Sequence, residues 1–217
     1  MKHAKPLPSY LSKRYTGWRA TQFEENKAWY ARLAEEGQRP RAMIISCCDS
    51  RVHVTAIFGA ETGEFFIHRN IANLVPPYKP DEEPHGTSAA IEYAVKYLKV
   101  ANLLIVGHSD CGGVKGCLDL CEGTADDPQA GSSFIGRWMG ILKPAYAQIK
   151  DFEGTQAEKQ VALEKQGVII GLENLMSFPF VREAVEGGTL ALHGLWNDIH
   201  DGGLEFYNPE MDAFQPV

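Results

Sequence analysis

Short apolar runs alternate with longer stretches of helical periodicity along most of this chain. The run Ala42–Cys47, AMIISC, is apolar at nearly every position. Residues 65–68 (FFIH), 102–106 (NLLIV) and 189–196 repeat that pattern, and residues 204–207 add a last short run. Runs of this length, bounded by turn residues and apolar throughout, read as strands buried on both faces, as in a parallel sheet. Between them, Thr87 is placed to cap a helix in which Ile91, Ala94, Val95 and Leu98 recur at helical spacing. A strand, a helix and a strand in succession make a β-α-β unit. Its right-handed crossover puts the first and third strands in one parallel sheet.

The remaining pattern fills in the layers. Residues 52–58 predict a short helix, Gly59 and Gly63 a turn, and 70–77 a structured loop closed by Pro76 and Pro77. Residues 80–84 and 122–132, polar and rich in turn formers, predict surface loops. Helices are expected from Gly112 to about Leu120, over 133–150, over 156–176 and, after Pro179, over 180–186. The third of these, over 156–176, carries Val161, Val168, Ile169, Leu172 and Leu175 on its buried side. Residues 7–37 are helix-like, and Gly37-Gln38-Arg39-Pro40 ends them. The expected fold is α/β: a mostly parallel central sheet flanked by helices, in a single domain over 1–217, with a helical arm (1–37) and an α/β core (38–217).

Composition narrows the function more than the fold. A net charge of −7 without clustered Lys or Arg argues against a nucleic-acid surface. No apolar run approaches the roughly 20 residues of a membrane span, and the N-terminus lacks the apolar core of a secretory signal. A cytoplasmic location is therefore expected, without membrane association. Five cysteines, one pair of them vicinal, suit metal ligation or burial better than a disulfide framework. Tyr15, Trp18, Phe23, Trp29 and Tyr30 give the N-terminal arm an aromatic surface. It packs either on its own domain or across a partner subunit.

The chemistry collects at two strand ends, where open parallel sheets bind ligands. One carries Cys47-x-Asp49-x-Arg51 and the other His108-x-x-Cys111. Alternation along the strand puts Cys47 and Asp49 on one face and turns Cys48 to the packed side as a small hydrophobe. Cys47, His108 and Cys111 form a Cys2His set, which favours zinc and leaves a fourth position open, as in catalytic sites. Cys117 and Cys121, four apart, share a helical face pointing elsewhere. Zinc brings the pKa of bound water towards neutrality, and Asp49 is placed to orient the resulting hydroxide while Arg51 holds the Asp49 carboxylate. Without Arg51, Asp49 is free to swing in and close the site at low pH. The backbone N–H of Gly112, at a helix start, is a further donor to substrate. Redox chemistry at Cys47-Cys48 is disfavoured because adjacent cysteines close a strained ring.

These residues resemble the β-class carbonic anhydrases. The likeness rests on Cys47-x-Asp49-Ser50-Arg51, on His68-Arg69-Asn70-Ile71-Ala72-Asn73 and on His108-x-x-Cys111-Gly112-Gly113, in the family's order. It extends in character from Gln38 to about Trp196. The resemblance implies reversible hydration of carbon dioxide to bicarbonate and a proton. The zinc, one per chain, would be held by Cys47, His108 and Cys111, with Asp49 and Arg51 as a dyad. It also implies a substrate pocket of Gln38, Phe66 and Tyr93, and a homodimer or a multiple of dimers with pockets at the subunit interface. A second branch of the family has an allosteric bicarbonate site built on a tryptophan and a tyrosine. Ile44 and Asn197 stand at those positions, so the plant-like, Gln-containing open-site branch is expected. His53, His68, His85, His193 and His200 read as structural, and Arg69 as pinning the loop after the second strand. Two other functions fit the same residues: a carbon disulfide or carbonyl sulfide hydrolase, and a non-catalytic zinc-stabilised interaction module.

Overall fold

The structure is a computed structural model and describes residues 3–81, 85–125 and 132–217. Its contacts divide the chain into Met1–Arg39 and Pro40–Val217. In the first unit, α1 (Ser9–Trp18) runs through a wider turn, Arg19–Phe23, and is followed by α2 (Lys27–Glu36). Trp18, Phe23 and Tyr30 bring their rings within 5.2–6.0 Å of one another, yet no residue of α1 or α2 is buried.

The second unit holds one sheet in the order β2-β1-β3-β4-β5-β6. Its strands are β1 (Ala42–Cys47), β2 (Phe65–Asn70), β3 (Asn102–His108), β4 (Ala191–Asn197), β5 (Leu204–Asn208) and β6 (Ala213–Pro216). The first four are mutually parallel and the last two antiparallel. The expected parallel pairing of the first and third strands is present, with Ser46 opposite Val106. The helices are α3 (Val54–Ile57), α4 (Gly86–Glu92, prolonged by a wider turn at Tyr93–Leu98), α5 (Gly112–Glu122), α6 (Phe134–Met139), α7 (Lys143–Ile149), α8 (Gln156–Ser177) and α9 (Pro179–Glu186). Among the described residues, no helix is long and apolar enough to cross a membrane.

Register fixes which face each side chain takes. Met43, Ile45 and Cys47 share a face with Phe66, Leu103 and Ile105. Against Met43, Ile45, Leu103 and Ile105 pack Ile91, Ala94, Val168, Leu175 and Phe178. Towards the strand ends a second cluster joins Cys47 and Cys111 to Leu74, Val114, Met139, Leu142 and Leu163. On the other face, Ile44, Val52, Val54, Val106 and Leu195 pack together.

Several expected elements differ in detail. β2 and β3 each run two residues further than the apolar pattern, to Asn70 and His108, because β1 offers paired backbone to Arg69 and Asn70, and β4 offers it to Gly107 and His108. The helix expected over 133–150 is two, with a tighter turn at Gly140–Leu142 and Pro144 in the first turn of α7. Only Val54–Ile57 of residues 52–58 is helical. Thr87 does not cap α4; it is buried, and its hydroxyl meets His68 Nε2 at 3.0 Å and accepts from Asn70 Nδ2 at 3.3 Å. β6 was not expected, since four residues ending in Pro216 carry little strand signal. The loops at 80–84 and 122–132 lie partly outside the described residues.

The β3–β4 surface is flattened so that α8 can approach. A Cβ on Gly107 or on Gly194 would lie 2.8 Å from a methyl of Val168, which therefore sits between two glycines. At Gly194 the added methyl would also come within 3.0 Å of Leu172 and 3.3 Å of Tyr207. Gly194→Ala is expected to destabilise the fold by about 1–3 kcal/mol. Combining it with Val168→Ala should recover part of that loss in thermal unfolding; an unchanged melting temperature for the single variant would contradict this packing.

Candidate metal centre

β1 and β3 end side by side, and the metal-ligating atoms come from their last residues and the turn beyond. Cys47 closes β1, His108 closes β3, and Cys111 stands at the N-cap of α5. Their ligand atoms all lie within 4.8 Å of one another, all three residues are buried, and the two sulfurs are 4.0 Å apart. The His108 ring is oriented by its neighbour: Nδ1 lies 2.8 Å from the Ser109 carbonyl oxygen. A carbonyl only accepts, so Nδ1 carries the proton and Nε2 keeps its lone pair. Nε2 is buried and has no hydrogen-bond partner among the described residues. An orphaned buried nitrogen facing two thiols is costly as it stands, and it fits a zinc ligand set, whose thiolates sit about 2.3 Å from the metal.

Of the two thiols, Cys47 is the one prepared for ionisation. Cys47 is lowered to about 4, first by its contact with Cys111, with help from His108 and from the N–H groups of Asp49 and Ala72; burial opposes this. Cys111 is pushed up, first by sharing that contact and then by burial. Without metal the pair thus retains a proton that zinc must displace. The two amide donors reach Cys47 Sγ from 3.4 Å (Asp49) and 3.3 Å (Ala72). Ala72 is held with φ 60° and Asn73 with φ 49°, a strained left-handed pair that aims the Ala72 N–H at the sulfur. Trp138 secures this turn by donating to the Ile71 carbonyl at 2.9 Å.

Asp49 and Arg51 stand at the same strand end. Arg51 donates through Nε to Asp49 Oδ1 at 3.0 Å and through Nη2 to Oδ2 at 2.8 Å, and its backbone N–H adds a bond to Oδ1 at 2.9 Å. These bonds hold the Asp49 carboxyl well below the usual carboxylate range. Arg51 Nη2 also reaches the Asp110 carbonyl at 3.0 Å, tying this loop to the turn between His108 and Cys111.

Of the other expected site residues, Phe66 and Tyr93 bring their rings to 5.8 Å, and Gly112 opens α5 with its backbone exposed. Gln38 belongs to the N-terminal unit and is exposed. Two expectations are corrected. Cys48 is exposed rather than packed, because β1 ends at Cys47 and strand alternation no longer applies. Arg69 pins the loop after β1, not the one after β2: it donates to the carbonyls of Cys47, Asp49 and Val52 at 2.7–2.8 Å. Cys117 is buried with its thiol pushed up to about 12, chiefly by desolvation, and lies 4.0 Å from Cys121 along α5. His68, His193 and His200 meet Thr87, Asn102 and Asp110. The residue that sequence reasoning missed is Glu164, a buried carboxylate that accepts the Cys111 N–H at 2.9 Å. Its signal was a lone acid on the apolar stripe of α8.

The carbonic anhydrase family pattern matches residues 42–204, the whole of this strand-end site included. Over 198 residues the chain is 39% identical to beta carbonic anhydrase 3 of Arabidopsis thaliana, covering 90% of this chain and 74% of that one. This chain belongs to the β-carbonic anhydrase family. Solved relatives agree in fold. The beta-carbonic anhydrase CcaA superposes with a TM-score of 0.86 at 26% identity, over 97% of this chain and 93% of that one. A tetrameric beta-carbonic anhydrase from Sordaria macrospora does so with 0.79 at 32% identity, over 91% and 95%. The Cys47-His108-Cys111 cluster is typical of this family's zinc site.

His108→Ala should leave the protein folded with a zinc content far below that of the wild type by elemental analysis. Cys48→Ser should leave zinc content unchanged; loss of zinc on replacing the exposed Cys48 would contradict the ligand assignment.

Proposed function

We propose that this carbonic anhydrase hydrates carbon dioxide at a zinc whose fourth position is kept open by Asp49 and Arg51. The observation that carries this reading is the double engagement of the Asp49 carboxylate, which leaves neither oxygen free to move onto the metal without breaking an arginine bond. Zinc held by Cys47, His108 and Cys111 supplies a Lewis acid that brings water towards ionisation near neutral pH. Asp49, kept ionised by Arg51, is an acceptor only; it orients the attacking water by taking its hydrogen bond. Because the folded pKa of Asp49 is depressed, the pair is complete above the ordinary aspartate range and is lost only as pH falls through that depressed value. The dyad therefore does not switch within the neutral range.

Phe66, opposite Met43 and so four residues back from Cys47 in register, forms with Tyr93 an apolar wall suited to carbon dioxide in the site of a partner chain, and the Gly112 N–H donates to an oxygen of the forming bicarbonate. Membership of the open-site branch is supported by the positions that would build a second bicarbonate site. Ile44 is fully buried in the apolar cluster, and Asn197 donates to the Gly203 carbonyl. A homodimer, or a multiple of it, is supported by N-terminal helices that bury no residue, with Tyr15 54% exposed.

Asp49→Ala should lower kcat/KM for carbon dioxide hydration by roughly 10²–10³-fold with zinc content retained. Activity within a factor of two of wild type would sink the dyad's role. Light scattering should give a mass of at least twice the chain, and a monomer at micromolar concentration would rule out the assembly.

A further inference from the structure

Glu164 has no part in the mechanism above, yet it is among the most deeply buried charged groups of the chain, at 2% exposure. It lies in the middle of α8 beside Leu163, Gly167 and Val168, where an apolar residue would match its neighbours. Its carboxylate is fully engaged: Oε1 accepts the Cys111 N–H at 2.9 Å and the Gln160 amide at 3.0 Å, and Oε2 accepts Trp196 Nε1 at 3.2 Å. All three donors are neutral. Lys165, next in sequence, turns away to Glu205, with its ammonium over the Trp196 ring at 4.5 Å. Burying a carboxylate without a cation is unfavourable, and an apolar side chain of similar volume would pack there at less cost. Burial indeed pushes its carboxyl up. Packing alone therefore does not account for an acid at this position.

The turn that Glu164 touches explains it. Between the ligands His108 and Cys111 the chain passes through Asp110 in a left-handed conformation, φ 55°, which no glycine relieves. The turn is tied to other parts of the fold on both sides of Asp110. Ser109 N–H donates to the Asn197 carbonyl at 3.0 Å, Asp110 accepts from Arg51, and Cys111 N–H donates to Glu164. The last two act on one peptide, whose N–H belongs to the metal ligand Cys111 itself and is held by Glu164.

We infer that Glu164 is a positioning residue for the metal centre: by accepting the Cys111 N–H it fixes the backbone from which this thiolate projects, and so sets how tightly the chain retains zinc. The inference rests on the assignment of Cys47, His108 and Cys111 as zinc ligands. It is independent of the Asp49–Arg51 proposal. Glu164→Met is the informative change, because the thioether side chain keeps the volume but removes the acceptor of the Cys111 N–H.

The test starts from zinc-loaded protein and measures the zinc dissociation constant by chelator competition, with the thiolate-to-metal absorption of the cobalt-substituted protein as a second readout. Glu164→Met should weaken zinc binding about 10–100-fold, the range for residues that hold a ligand in place, and should alter the cobalt spectrum. Val181→Ala, which opens a cavity in α9 remote from the site, should lower thermal stability and leave both readouts unchanged. Wild-type zinc affinity in folded Glu164→Met would overturn the inference. If that variant does not fold, Trp196→Phe removes the bond to Oε2 and lets the carboxylate swing from Cys111. A smaller loss of affinity in the same direction supports the inference, and none overturns it. A wild-type chain that binds no zinc would instead overturn the ligand assignment on which the inference rests.

Discussion

The site depends first on the parallel pairing of β1 with β3. With Ser46 opposite Val106, the two strands end one residue apart, and Cys47 and His108 arrive at the same edge of the sheet. A slip of one residue would turn every side chain of β1 to the other face, putting Ser46 or Cys48 where Cys47 belongs and carrying the thiol away from the imidazole. What prevents that slip is the difference between the faces. Met43 and Ile45 pack against helices α4 and α8, Ile44 packs with Val106 and Leu195, and both sets are fully enclosed. Hydrophobic burial thus sets the position of the metal ligands, although none of the residues responsible touches the metal.

Past the last paired residue, hydrogen bonds take over from packing. The chain after β1 is held by Arg69, which reaches along the sheet edge to three carbonyls, and by Arg51, which joins Asp49 to the Asp110 peptide. The turn after β2 is held by Asn70, whose side chain pairs with both the N–H and the carbonyl of Leu74. Together these bonds place two backbone N–H groups at Cys47 and fix the Asp49 carboxylate beside it. Buried networks of this kind are rigid when every member is satisfied. The unsatisfied His108 nitrogen stands out against that background, and it is the atom a metal requires.

Much of this was legible in the sequence because it rests on local pattern. Ala42–Cys47 was bounded correctly from its apolar run, and the three zinc ligands followed from cysteine and histidine at two strand ends. Features that depend on contacts distant in sequence were not legible. Nothing local marks Ala72 as the residue that takes a left-handed conformation to serve Cys47, 25 positions away in sequence. Glu164 was hidden within a helical pattern that weighs apolar positions and passes over the acid among them. Thr87 had the chemistry of a cap and was taken instead by His68 and Asn70 across the fold. Cys48 was misread because alternation was carried one residue past the end of the strand.

The account stands on a zinc held by three protein atoms with the fourth position left to solvent. Anomalous scattering at the zinc edge, from crystals of the loaded protein at neutral pH, tests this directly. It should show a single peak per chain between Cys47 Sγ, His108 Nε2 and Cys111 Sγ, with Asp49 still paired to Arg51. A peak elsewhere, or Asp49 drawn off Arg51 to become a fourth ligand, would contradict it.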